Sequence, residues 1–276
     1  MKNKIISLTV ALVFLSFGQL SYAADTNDIS AELKTLIDQI RTKLQAGDKT
    51  EAALAPEIKQ FDAILAEHKN EKTDAVAQVA FMKATLYLEV FDNEAKGVEL
   101  IKQIKIDYPD TKIAQNTDKV LNSIAAQDEA KKLQAAFVTG AALPDFDEKD
   151  TAGNPLSIAS RKGKIVLVDF WATWCPPCRA EIPNVVATYN KYHAKGFDII
   201  GVSLDEDRAK LDSYTKDQGM TWSQFFDGQR WQNKLAVKYG VQSIPATFLL
   251  DGEGKIIARD LRGDDLEAAV AKALKL

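Results

Sequence analysis

From residue 29 onward, apolar residues recur every three or four positions. Ile29, Leu33, Leu36, Ile37, Ile40 and Leu44 form a stripe along one helix, which Gly47 and Asp48 break. Leu54, Ile58, Phe61 and Leu65 stay in phase over residues 50–68, with Pro56 in the first turn of that second helix or bending it. Asp74 is placed to cap a third helix carrying Val76, Val79, Leu86, Tyr87 and Val90. Asp92-Asn93 turn the chain into a fourth, with Val98, Ile101 and Ile104, which Tyr108-Pro109-Asp110-Thr111 ends. A fifth carries Ile113, Val120 and Ile124 onward. The pattern therefore predicts an all-helical domain over residues 24–138, and no residue in it suggests catalysis.

After Gly140-Ala141-Ala142 the period changes. Ile165 to Phe170 is a continuous apolar run of buried-strand type, and Phe197 to Leu204 is a second. Ala246 to Leu250 and Lys255 to Asp260 read as two more strands around the turn Asp251-Gly252-Glu253-Gly254, and residues 221–226 as a short one. Helical patterns lie between them, over 206–218, over 231–239 and from Asp264. Strands alternating with helices imply parallel pairs joined by crossovers, so residues 139–276 are expected to form an α/β domain.

Composition changes this picture little. A chain of 276 residues has room for two ordinary domains, and 46% hydrophobic with 27% charged residues is a soluble globular balance. The formal net charge of −4 gives no reason to expect nucleic acid or an anionic membrane as partner. The amino terminus reads as a signal peptide over residues 1–23: Lys2 and Lys4, an apolar stretch from Ile5 to Phe17, then Ser21-Tyr22-Ala23 as a cleavage site. That stretch falls short of the roughly 20 residues of a spanning helix. No cysteine lies near the cleavage site, which excludes a lipoprotein anchor. The product is expected to be soluble in the periplasm, cleaved near Ala23, or secreted where the cell has no outer membrane.

The chemistry resides in the two cysteines, Cys175 and Cys178, where the Ile165 strand hands over to a helix. A helix N-terminus carries about half a positive charge and unpaired N–H groups, which favour an anion. A thiolate at Cys175 would be that anion, and Cys178 would lie one turn inside, placed to attack a mixed disulfide formed at Cys175. A metal site needs about four ligands, and the chain offers two cysteines and two distant histidines, His68 and His193. A structural disulfide here would close a loop too short to add much stability. An oxidising compartment would let disulfides staple the fold, yet both cysteines sit in one four-residue motif. The reading is a dithiol–disulfide exchange site, with an inactive vestige as the alternative.

The run Val168-Asp169-Phe170-Trp171-Ala172-Thr173-Trp174-Cys175-Pro176-Pro177-Cys178-Arg179-Ala180-Glu181-Ile182-Pro183 resembles the thioredoxin superfamily, and more narrowly its TlpA/ResA-like thiol:disulfide oxidoreductases. Leu143-Pro144-Asp145-Phe146, the Phe197 strand and Ser243-Ile244-Pro245-Ala246-Thr247-Phe248 resemble other motifs of that family, and the resemblance spans about residues 141–276. Asp74 to Pro109 faintly resembles a tetratricopeptide hairpin, through Gly97, Ile101 and the exit proline. The resemblance implies a thioredoxin fold behind an all-α domain, Cys175 as the more exposed nucleophile and Cys178 as the resolving thiol. It implies Asp169 as a buried proton acceptor for Cys178, although many TlpA-like relatives carry asparagine there. Pro245 would be cis, with the backbone of Ile244 pairing an incoming client peptide beside Trp174, Pro176 and Pro177.

Pro176 and Pro177 have no N–H to offer the thiolate, which implies a more reducing couple. The expected activity is reduction of disulfides in client proteins, with no cofactor beyond the Cys175–Cys178 pair, no metal, and a membrane electron donor. Oxidation or isomerisation remains an alternative direction. A helical adaptor binding an envelope partner or a second copy, with the redox domain secondary, is the alternative class.

Overall fold

The computed structural model describes residues 27–276; the expected signal peptide lies outside them. The chain divides into two compact units, one ending at Ile124 and one spanning Ala125–Leu276.

The first unit contains α1 (Asn27–Ala46), α2 (Ala55–Glu67), α3 (Asp74–Glu89), α4 (Glu94–Asp107) and the first turns of α5 (Lys112–Ala136). Its core is built largely from the expected stripes: Ile29, Leu36 and Ile40 of α1, Phe61 of α2, Val76, Val79 and Leu86 of α3, and Ile104 of α4 are buried together, while in α2 the unexpected Ile64 is buried and the expected Ile58 and Leu65 are half-buried. Pro56 does not bend α2. It lies in the first turn, where the missing N–H leaves no helical bond unmade, and α2 begins there rather than at residue 50. The cap of α3 also differs from expectation. Thr73 is the N-cap, its Oγ1 accepting from the Val76 N–H. The Asp74 carboxylate instead accepts from the N–H groups of Lys112 (2.7 Å) and Ile113, capping α5 across 38 residues of sequence. Gly97 lets α3 and α4 approach closely: a Cβ there would stand 2.4 Å from Cγ of Leu88.

The second unit is a five-stranded mixed sheet in the order β5-β4-β3-β6-β7, as expected of a thioredoxin fold. The strands are β3 (Ile165–Trp171), β4 (Phe197–Ser203), β5 (Gln224–Phe226), β6 (Ala246–Leu250) and β7 (Ile256–Arg259), and a two-residue hairpin, β1 (Glu148–Lys149) with β2 (Pro155–Leu156), precedes them. β3 is central and buried along its whole length, which is why its sequence shows no alternation. It pairs in parallel with β4, setting Asp169 opposite Gly201, and antiparallel with β6, setting Asp169 opposite Thr247 and Phe170 opposite Ala246. The crossover from β3 to β4 is α6 (Pro176–Tyr192), which packs against the closing helix α9 (Gly263–Ala273). The other helices are α7 (Arg208–Asp217) and α8 (Lys234–Lys238). The helix expected over 231–239 shrinks to α8, because Asn233 stops it as a cap, its side chain accepting from the N–H groups of Leu235 and Ala236.

The units divide inside α5, upstream of the boundary expected after residue 138. The last turns of α5 pack with the sheet domain. Gln134 donates from Nε2 to the carbonyls of Tyr239 (2.7 Å) and Gly240 (3.2 Å), and Arg259 donates to the carbonyls of Gln134 and Phe137. Phe137 lies edge-on to both Tyr239 and Phe248 in that core.

Candidate active site

β3 runs into a loop at Ala172 and the loop into α6, so the cysteines sit above the carboxyl end of the central strand. Cys175 is the N-cap of α6 in extended backbone, and Pro176 and Pro177 form the first turn. Both prolines suit these positions, where helical N–H groups have no intrahelical partner anyway. Cys175 and Cys178 are joined in a disulfide. The backbone N–H of Cys178 donates to Sγ of Cys175 at 3.2 Å. With prolines at the two intervening positions, this is the first N–H the helix presents to that sulfur. Sequence reasoning expected Cys175 to be the more exposed of the two. In the disulfide Cys175 is the more exposed residue, at 4% against 1%, but both are nearly sealed.

Around the disulfide, Trp174, Pro176 and Pro177 are exposed and Ile244 and Pro245 half-buried. The Ile244–Pro245 peptide is cis, and the Ile244 carbonyl oxygen lies 3.7 Å from Sγ of Cys175. The loop before Cys175 is held from β4. The buried Asp205 carboxylate accepts from Thr173 through its N–H (3.1 Å) and its hydroxyl (2.6 Å), and from the hydroxyl of Ser203 (2.8 Å). Trp174 donates from Nε1 to the Leu204 carbonyl at 3.2 Å.

Beneath the disulfide, Asp169 is buried within β3. Burial pushes its pKa from 3.8 up to about 7; the Arg262 guanidinium opposes that rise and the Glu181 carboxylate adds to it. Asp169, Cys178, Glu181, Pro245, Thr247 and Arg262 line one small cavity of about 10 Å³, room for a single water. Arg262 donates to the carbonyl of Pro245 (2.5 Å) and of Leu261 (2.6 Å), and Glu181 accepts from the N–H of Gly263 (2.6 Å). A carboxyl titrating near neutrality beside the inner sulfur can take up or return a proton as that thiol reacts. Among the described residues no cluster of histidine, cysteine and acidic side chains could hold a metal.

The structure thus gathers Cys175, Cys178, Asp169, Trp174, Pro176, Pro177, Ile244 and Pro245 around one end of the sheet. Sequence reasoning missed Asp205 and Arg262, which reach the site from residues distant in sequence, and gave no role to Glu181, one turn beyond Cys178 on the same helix. It also missed Trp231, whose signal was available: a tryptophan in the otherwise polar stretch Gly228-Gln229-Arg230-Trp231-Gln232-Asn233.

The Redoxin family model matches residues 138–275. Thiol-disulfide oxidoreductase ResA of Bacillus subtilis is 31% identical over 118 residues, covering 43% of this chain and 64% of that protein. ResA of Bacillus thuringiensis subsp. konkukian is 31% identical over 136 residues, covering 49% of this chain and 76% of that protein. The thioredoxin domain of a thiol-disulfide oxidoreductase from Bacteroides vulgatus is 37% identical, covering 50% of this chain and 98% of its own, with a TM-score of 0.46. Residues 27–137 lie outside the Redoxin match.

Proposed function

The chain belongs to the Redoxin family through its carboxy-terminal half, a thiol-disulfide oxidoreductase domain, and we propose that the whole protein reduces disulfides in client proteins of the periplasm. In the reduced protein the Cys175 thiolate attacks one sulfur of the client disulfide, and the other client sulfur leaves as a thiolate. Cys178 then loses its proton to Asp169 and attacks Sγ of Cys175. The second client thiolate departs, leaving the client reduced by two electrons and Cys175–Cys178 oxidised. A membrane electron donor restores the dithiol. The client segment lies extended against the backbone of Ile244, beside Trp174, Pro176 and Pro177.

The observation that carries the reductive direction is the first turn of α6. Its two prolines leave the Cys178 N–H, 3.2 Å away, as the nearest backbone donor to Sγ of Cys175. A less stabilised thiolate makes the reduced form a better electron donor. The periplasmic assignment is supported by the signal-peptide pattern of residues 1–23. Among the described residues, no helix is long and apolar enough to cross a membrane. Equilibration of the Cys175–Cys178 couple in thiol redox buffers tests the direction. The expected potential is near or below about −220 mV, whereas a value near about −120 mV would make the protein an oxidant and overturn the argument from the prolines.

A further inference from the structure

The segment between β5 and α8 is held far more firmly than a surface loop requires. Asp227 accepts from the N–H groups of Gln229 (3.0 Å) and Lys234 (2.8 Å). Asn233, fully buried, donates to the carbonyl of Ser203 and to the Asp227 carboxylate. Between these anchors Arg230 takes a left-handed backbone, φ 48°, a conformation that costs a residue other than glycine some stability. The result of this effort is an exposed indole. Trp231 is 40% exposed and stands against Trp174, 39% exposed, with ring centroids 6.0 Å apart and planes at 62°. The Arg230 guanidinium lies 5.4 Å from the Trp174 ring centroid, and its charge is paired with Glu206 at 3.5 Å.

Packing gives no account of this pair. Where the domain uses tryptophan as core it buries it, as with Trp171 at 1% and Trp222 at 4%. Tryptophans held half-exposed beside a reactive group are what interaction surfaces are made of. The position fits. Trp174 immediately precedes Cys175 in the chain, and the exposed Pro176 and Pro177 follow it. Trp231 therefore extends the apolar rim of the disulfide past the Cys-Pro-Pro-Cys motif, on the side of Trp174. A third ring seated against two indoles set at 62° can meet one edge-on and the other face-on. A carboxylate would meet the Glu206 carboxylate paired with Arg230, and a small side chain would cover little of either ring.

We propose that Trp231 and Trp174, with Arg230 packed over the latter, form a recognition pocket for an aromatic side chain flanking the client's disulfide cysteine. This rests on the reading that Cys175–Cys178 exchanges with client disulfides. The test uses full-length protein, reduced beforehand and freed of reductant, in single-turnover mixing with two symmetric peptide disulfides. The peptides are identical except that phenylalanine or glycine flanks the cysteine on both sides. Wild type is expected to react roughly tenfold faster with the phenylalanine peptide. Trp231→Ala is expected to bring that ratio to about one without moving the reduction potential, and Trp231→Phe to retain more than half of the preference on a logarithmic scale. Equal wild-type rates overturn the pocket, as does a ratio that survives Trp231→Ala. So does a variant that slows both peptides alike, which would make Trp231 merely structural. If reduced wild type reacts with neither peptide, the exchange reading itself fails, an outcome distinct from equal rates.

Discussion

Replacing Asp169 with asparagine turns the pKa of one buried carboxyl into a measurable stability. Its pKa lies at about 7 in the folded protein against 3.8 for a free carboxyl. That is about three units, or about 4 kcal/mol at 1.36 kcal/mol per unit. Below pH 4 the carboxyl is neutral in both folded and unfolded chains and costs nothing. Between pH 4 and 7 the unfolded chain loses this proton while the folded one keeps it, so stability falls as pH rises. Above pH 7 both are ionised and the whole cost stands. Asparagine carries no such charge. The stability of Asp169→Asn relative to wild type should therefore rise by about 4 kcal/mol between pH 4 and pH 8, or about 2 M in urea midpoint at a slope near 2 kcal/mol/M. All four tryptophans, Trp171, Trp174, Trp222 and Trp231, lie in the second unit, so intrinsic fluorescence of the oxidised protein reports its unfolding alone. A difference that stays within about 1 kcal/mol across that range, or moves the other way, would refute the burial argument. The same variant should resolve mixed disulfides about a hundredfold more slowly at neutral pH, by loss of the proton acceptor.

The charges facing Asp169 should move the same step in opposite directions: Arg262→Gln raises the midpoint of the wild-type stability fall and Glu181→Gln lowers it, read from urea midpoints across pH. Asp205→Ala strips the Ser203 hydroxyl and the Thr173 N–H of their acceptor and should cost about 2–3 kcal/mol. By releasing the loop ahead of Cys175, it should also lower the rate of client reduction about tenfold, with Asp205→Asn intermediate in both readouts. Gly240→Ala places a methyl group 2.7 Å from the Ala130 carbonyl at a residue with φ 62°. The left-handed backbone and the overpacking together should cost about 2–4 kcal/mol, seen as a fall in the fluorescence-monitored urea midpoint.

Features that depend on neighbours along the chain are legible in the amino-acid sequence. The stripe from Ile29 to Leu44, the solid apolar run of β3 and the hand-over from strand to Cys175 are set by local period and by what a buried strand or helix face must contain. Pairings that depend on the register of distant segments are not. Asp74 looks like the cap of its own helix, and only the packing of α3 beside α5 turns its carboxylate to Lys112. Thr173 and Asp205 are separated by 32 residues, and it is the parallel register of β3 with β4, Trp171 opposite Ser203, that brings them together. Arg262 reaches Pro245 because β7 and the start of α9 return beside β6. Nothing in the local sequence around Trp231 says that it faces Trp174. The oddity of an indole among polar residues is the one hint, and a strand-and-helix reading has no use for it.

The antiparallel register of β3 and β6, with Phe170 opposite Ala246, has a consequence for how such a protein diversifies. It brings the Cys175 sulfur and the Ile244 carbonyl to the same rim of the sheet, 3.7 Å apart. Residues 228–232, between the anchors Asp227 and Asn233, are therefore free to change their surface without disturbing that alignment, provided those anchors and the two strands stay in place. Selection can rewrite the loop bearing Trp231 to suit a new client while the reaction itself is inherited unchanged. Grafting that loop between relatives should then transfer preference without transferring chemistry.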